Sequence, residues 1–201
     1  MIGIIDYDAG NIRSVEKALD YLGEKSVVTR DADVLLQADK VILPGVGSFG
    51  DAMGNLEKYG LVPVIRQLVD REVPFLGICL GLQLLFESSE ESPGVEGLGI
   101  LKGRILKIPQ DAGLKIPHMG WNSLKLQNGG RLFEGIPQET YVYFVHSYYL
   151  EAADSSIVKA VARYGTEIHA SVEQGNVFAC QFHPEKSSQW GLKILENFAK
   201  L

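Results

Sequence analysis

The stretch that most constrains this chain is Pro74–Gln83, Pro-Phe-Leu-Gly-Ile-Cys-Leu-Gly-Leu-Gln. Phe75, Leu76 and Ile78 form a short apolar run, the pattern of a strand buried on both faces. The run breaks off at Gly77-Ile78-Cys79-Leu80-Gly81, and Leu82 to Glu87 then reads as a helix. A cysteine between two glycines at a strand-to-helix turn has the layout of a nucleophile elbow, with sulfur in place of the usual oxygen. The glycines remove Cβ atoms that would clash in so sharp a turn. The side chain is pushed out of the sheet toward a helix N-terminus, where the peptide dipoles favour a thiolate. Taken alone, the pentad also fits a buried structural cysteine.

The residues before it alternate in the same way. Ile2, Ile4 and Ile5 predict a buried strand that ends in the loop Asp6–Asn11, with Asn11 placed to cap a helix through its side chain. Ile12, Val15, Ala18, Leu19 and Leu22 recur at helical spacing, and Gly23 stops them. Ser26–Thr29 and Lys40–Leu43 read as strands around a short helical piece at 31–36, and segments 51–58 and 61–71 read as helices separated by Gly60. This β-α-β-α order predicts a parallel sheet covered by helices on both faces.

After Ser88 the texture changes. Residues 88–94 are polar and read as an exposed loop. Short strands follow at 100–108, 122–126, 141–145, 157–163, 168–173 and 177–181, with a hairpin turn at Gln174-Gly175-Asn176 and a closing amphipathic helix at 187–201. There is no linker, repeat or low-complexity tract, so the expected fold is a single α/β domain spanning 1–201. Its central sheet is mostly parallel and twisted, and an antiparallel C-terminal portion continues or covers it.

Composition narrows the function classes. With 201 residues and 46% hydrophobic content the chain can bury a full core. The net charge of -6 has no basic block, which argues against nucleic acid. The only cysteines are Cys79 and Cys180, with no C-x-x-C, so neither a disulfide framework nor a metal site is expected. Met1–Asp6 lacks a basic leader, and no apolar run approaches the ~20 residues of a spanning helix, so a cytoplasmic protein without membrane contact is expected.

A candidate base lies far from the cysteine, in Phe182-His183-Pro184-Glu185. Proline stiffens that turn and biases His183 toward extended backbone. His183 can take the Cys79 proton while Glu185 holds its ring, triad logic transferred to a thiol; without Cys79 it would read as a surface histidine. The loop Pro44-Gly45-Val46-Gly47-Ser48-Phe49-Gly50 also follows a strand, and its three glycines let backbone N–H groups turn inward. It can build an oxyanion hole or serve as a flexible connection, but it is no Walker loop, for no G-K-[ST] follows. Cys180 reads as packing, His169 as an ordinary strand residue, and His118 and His146 carry no assigned role.

Gly77–Gln83 together with His183-Pro184-Glu185 resembles the class I, triad-type glutamine amidotransferases. Pro44–Gly50, Pro117-His-Met-Gly-Trp-Asn122 and Tyr143-Phe-Val-His-Ser-Tyr148 resemble one branch of that family, the glutaminase subunits of imidazole glycerol phosphate synthase in histidine biosynthesis. Ile5-Asp6-Tyr7 and Gly10-Asn11 agree with it, and the resemblance runs from the first strand to the last helix. The family usually has glycine where this chain has Asp8, a residue type that tolerates positive φ.

The resemblance implies a flavodoxin-like fold and a Cys79–His183–Glu185 triad that cleaves the side-chain amide of glutamine through a thioester, without cofactor. It implies oxyanion donors at Val46, Gly47 and Leu80, and glutamine contacts from Gly47, Gln83, Ser147 and Tyr148. It further implies a heterodimer with a (βα)₈-barrel cyclase/synthase subunit that receives the ammonia, through an interface including Asn11, Met119, Trp121, Tyr143 and Lys186. Two other readings stay open: a glutaminase serving a sibling pathway, such as anthranilate or pyridoxal phosphate synthesis, and a non-catalytic subunit of the same fold.

Overall fold

The computed structural model describes residues 1–110 and 113–201. Its first half alternates β1 (Ile2–Ile5), α1 (Ile12–Tyr21), β2 (Ser26–Thr29), α2 (Ala32–Leu36), β3 (Lys40–Leu43), α3 (Phe49–Lys58), α4 (Leu61–Asp70), β4 (Phe75–Ile78) and α5 (Leu80–Leu84). The second half carries β5 (Ser88–Ser89), β6 (Gly103–Lys107), β7 (His118–Leu126), β8 (Thr140–His146), β9 (Tyr148–Ala152), β10 (Val158–Tyr164), β11 (Thr166–Gln174), β12 (Val177–Cys180) and α6 (Ser188–Ala199).

Among the described residues, nine strands form one mixed sheet in the order β2-β1-β3-β4-β12-β11-β10-β7-β8. β2, β1, β3, β4 and β12 run parallel, and β11, β10, β7 and β8 extend the same sheet antiparallel. The antiparallel half therefore continues the sheet, while β5, β6 and β9 form a separate small one. Within the parallel half, β1, β4 and β12 are buried throughout, because helices cover each side, while edge strand β2 is half-buried. The carboxyl ends of β1, β3, β4 and β12 consequently lie along one edge, where open α/β sheets place their sites.

Four local features differ from expectation. The helix after the elbow stops at Leu84, short of Glu87, because the chain folds back on it. Leu98 N–H donates to the Leu84 carbonyl, and Ile100 and Leu101 N–H groups take that of Leu85. Segment 88–94 is more than an exposed loop. Ser88 and Ser89 pair with β6, Ser89 is buried, and the Glu91 carboxylate and Ser92 hydroxyl accept from the Phe49 and Gly50 N–H groups at the start of α3. Asn11 precedes α1 but makes no side-chain cap bond; its amide points elsewhere. β9 was not expected at all, since one short strand of a small sheet leaves little alternation to read.

Asp8 adopts the left-handed backbone its glycine-like position demands, with φ 69°. Its carboxylate accepts from Arg30 at 2.7 Å and from the Tyr59 hydroxyl, while Arg30 also reaches Asp6 at 2.7 Å and stacks on the Tyr59 ring. The tyrosine hydrogen bond and then the guanidinium hold the exposed Asp8 carboxyl below the usual carboxylate range.

Candidate active site

Cys79 sits between β4 and α5 with φ 54° and ψ -105°, a conformation that costs energy for a residue with a Cβ. Both flanking glycines are required sterically. A Cβ on Gly77 would meet the Gly81 carbonyl oxygen at 2.7 Å, and one on Gly81 would meet the Leu43 carbonyl oxygen at 1.9 Å. Both obstacles are backbone, so they cannot swing away. Gly81→Ala should therefore cost at least ~3 kcal/mol and lower the thermal midpoint by ~6–12 °C, read by thermal unfolding. A midpoint within ~2 °C of wild type would contradict this account of the elbow.

His183 follows β12, which lies beside β4, so strand pairing itself brings histidine and cysteine together. The His183 side chain is fully buried, and its Nδ1 lies 2.8 Å from Glu185 Oε1. The His183 backbone is held on both sides: its N–H donates to the Tyr143 carbonyl at 2.9 Å and its own carbonyl accepts from Ser187 Oγ at 2.6 Å. Burial opposes the charged ring, but hydrogen bonding and charge from Cys79 and Glu185 outweigh it and raise its pKa to about 10. Nε2 nonetheless has no partner in good hydrogen-bond geometry, so the contact with sulfur is loose in this resting arrangement, as is common before substrate binds.

Asn11 has a role inside the chain that sequence reading did not supply. Expected at a partner surface, it is buried, and its Nδ2 donates to Glu185 Oε1 at 3.1 Å, the same oxygen that faces the imidazole. Its position just before α1, after the loop that leaves β1, accounts for this, and no local sequence signal could have shown it.

A cavity of about 290 Å³ opens on the sulfur. Val46, Gly47 and Leu80 line one side, and Gln83, Ser147 and Tyr148 another, so the expected oxyanion and substrate residues converge on Cys79. Glu91 lines it too, a carboxylate that sequence reading had left in a polar loop. Gln83 is buried rather than freely facing the pocket: its amide NH₂ donates to the Tyr148 carbonyl at 3.0 Å and to Gln181 Oε1 at 3.1 Å. The oxyanion loop is anchored by the buried Tyr7 hydroxyl, which donates to the Pro44 carbonyl at 2.6 Å. The Leu80 N–H, expected as an oxyanion donor, donates to the Gly45 carbonyl at 3.2 Å.

The remaining interface candidates lie at the surface. Met119 and Trp121 are 63% and 52% exposed, Lys186 is exposed, and half-buried Tyr143 packs edge-on against Trp121 with ring centroids 6.1 Å apart. Neither aromatic is a core residue. Cys180 is fully buried in the core and His169 accepts a strand N–H, as their bland readings anticipate.

A strained cysteine elbow, a buried histidine–carboxylate pair just after the adjacent strand and a glycine-rich loop thus gather at one edge of an α/β sheet. The family profile for glutamine amidotransferase class-I matches residues 3–201, and the chain belongs to that family. It is 53% identical over 201 residues to imidazole glycerol phosphate synthase subunit HisH of Methanocaldococcus jannaschii, covering 100% of both chains. It is 52% identical over 200 residues to the same-named subunit of Moorella thermoacetica, covering 100% of this chain and 94% of that relative. In fold it matches a crystal structure of a glutamine amidotransferase at a TM-score of 0.76 and 23% identity, over 100% of this chain and 99% of that one.

Proposed function

We propose that this chain is the glutaminase subunit of an imidazole glycerol phosphate synthase in histidine biosynthesis. Cys79 attacks the side-chain amide carbon of glutamine, and the ring of His183, protonated at neutral pH, gives its proton to the departing ammonia. Glu185 fixes the ring through Nδ1, and Asn11 fixes Glu185. A glutamyl thioester remains. His183 then takes a proton from water as it attacks the thioester carbon, glutamate leaves, and the thiolate beside a protonated ring is restored. The Glu91 carboxylate on the cavity wall supplies a counter-charge for the α-ammonium of the substrate. A (βα)₈-barrel synthase subunit, docked over Met119, Trp121, Tyr143 and Lys186, receives the ammonia before water can protonate it; exposed aromatics suit such an anchor.

The observation that carries this reading is the convergence of Cys79 with the buried His183–Glu185 pair at one sheet edge. An electrophilic glutamine analogue, a diazoketone of the same length, should label Cys79 stoichiometrically and leave Cys180 untouched, as read by peptide mass spectrometry. Absence of labelling in the presence of the synthase subunit would favour a non-catalytic role. Among the described residues no helix is long and apolar enough to cross a membrane.

A further inference from the structure

We propose that Gln181 is a catalytic residue, a neutral donor to the Cys79 sulfur that stabilises the charge it carries in the reaction, its amide orientation fixed through Gln83 and the Tyr148 carbonyl. The proposal rests on Cys79 being the nucleophile. Gln181 is fully buried at the end of β12, and its Nε2 lies 3.6 Å from Cys79 Sγ, a hydrogen-bonding distance for the large sulfur atom. An N–H aimed at a thiolate is a charge-assisted bond and favours the ionised form.

A glutamine amide can face either way, and with its oxygen on the sulfur it would disfavour the thiolate. Its neighbours remove the choice. The Tyr148 carbonyl can only accept, so Gln83 presents its NH₂ there at 3.0 Å. The second hydrogen of that NH₂ meets Gln181 Oε1 at 3.1 Å, which leaves Gln181 Nε2 for Cys79.

The Tyr148 carbonyl is itself held from the other side. His146 Nδ1 lies 2.8 Å from it and must carry the proton. Burial lowers the His146 pKa to about 3 and that of His118 to about 4, so both rings are neutral. His146 Nε2 therefore accepts, His118 Nδ1 donates to it at 2.9 Å, and His118 Nε2 accepts from Asn122 Nδ2 at 3.3 Å. The Asn122 amide is fixed in turn, donating to the Arg163 carbonyl at 3.0 Å and accepting from the Ser123 N–H at 2.8 Å. Backbone groups at both ends thus set the direction of every bond between. Met119 and Trp121, on the strand that carries His118 and Asn122, are exposed on that hairpin. Gln83 is the positioning residue in this arrangement.

The test uses the chain in complex with its synthase subunit and follows alkylation of Cys79 by iodoacetamide across pH, a reaction that needs no glutamine chemistry. Gln181→Met keeps the volume and removes the donor; its alkylation at neutral pH should slow ~10-fold and its pH profile move up by about one unit. Gln181→Glu, which sets a carboxylate on the sulfur, should slow it further. Turnover of glutamine should fall in kcat by ~10-fold with KM changed less than ~3-fold. Gln83→Met, which leaves Gln181 free to turn over, should shift the profile in the same direction by less, and it decides the matter if the first variants fold poorly. Wild-type alkylation profiles in all variants that melt normally would overturn the proposal. A profile that shifts as expected in a complex unable to cleave glutamine would instead sustain Gln181 and sink the glutaminase reading.

Discussion

Cys79→Ala in the complex should lower glutamine-dependent formation of imidazole glycerol phosphate by at least ~10⁴-fold, while synthesis from added ammonium salt stays within ~2-fold of wild type. The sulfur is the only atom removed. It lines the cavity at the carboxyl edge of the sheet, and among the described residues no other thiol does. Cys180, the only other cysteine, is fully buried, and burial together with the Glu185 and Cys79 charges pushes its thiol well above the usual range, so it cannot substitute. Ammonia supplied from solution needs no thioester, which is why that activity should survive. Steady-state rates with each nitrogen source decide it. Loss of both activities would mean the variant disturbs the assembly, and retention of glutamine turnover above ~1% would mean Cys79 is not the nucleophile.

How much of this site the sequence reveals depends on how local each interaction is. The elbow is legible because both of its glycines lie within five residues of sequence, although only the Gly77 constraint is local: a Cβ there would meet the Gly81 carbonyl oxygen at 2.7 Å, whereas one on Gly81 would meet the Leu43 carbonyl oxygen of another strand at 1.9 Å. His183 and Glu185 are legible as a pair because two residues of separation across a proline bring ring and carboxylate to 2.8 Å. The apolar runs fix β1 and β4 because strands buried on both faces must be apolar throughout. Asn11, Glu91 and Gln181 are not legible. Each acts across the sheet edge on a residue far away in sequence, and each would read equally well as a helix cap, a solvated acid or a strand terminus. The His118–His146 contact becomes visible only once β7 and β8 are paired, since their register sets the two rings opposite each other. α5 ends early for the same kind of reason: its last carbonyls are claimed by residues 98–101, which its own sequence does not announce.

Isolated, the chain should hydrolyse glutamine slowly, and the synthase subunit should raise kcat by ~10²–10³ with a smaller change in KM. The reason is the orientation of one peptide. The tetrahedral intermediate needs donors at the oxygen it develops, and Leu80 N–H is the first of them, being next to the nucleophile. In the resting chain that N–H is taken by the Gly45 carbonyl at 3.2 Å. Rotating the Gly45–Val46 peptide would withdraw the carbonyl and turn the Val46 N–H into the cavity, replacing an acceptor by a second donor. Losing one such donor typically costs 10²–10³ in rate, which sets the expected size of the effect. Glycines on both sides of Val46 permit the rotation. Gly47 is already at φ 112°, and Gly45 packs so tightly that a Cβ would meet the Tyr7 hydroxyl oxygen at 2.2 Å. Tyr7 meanwhile anchors Pro44, so the hinge is confined to the peptide that must turn. The substrate cavity is formed before the rotation, which is why KM should respond less than kcat. Glutaminase rates of the purified chain with and without the synthase subunit measure the ratio. A free chain as fast as the complex would show that the Gly45 carbonyl does not block the site.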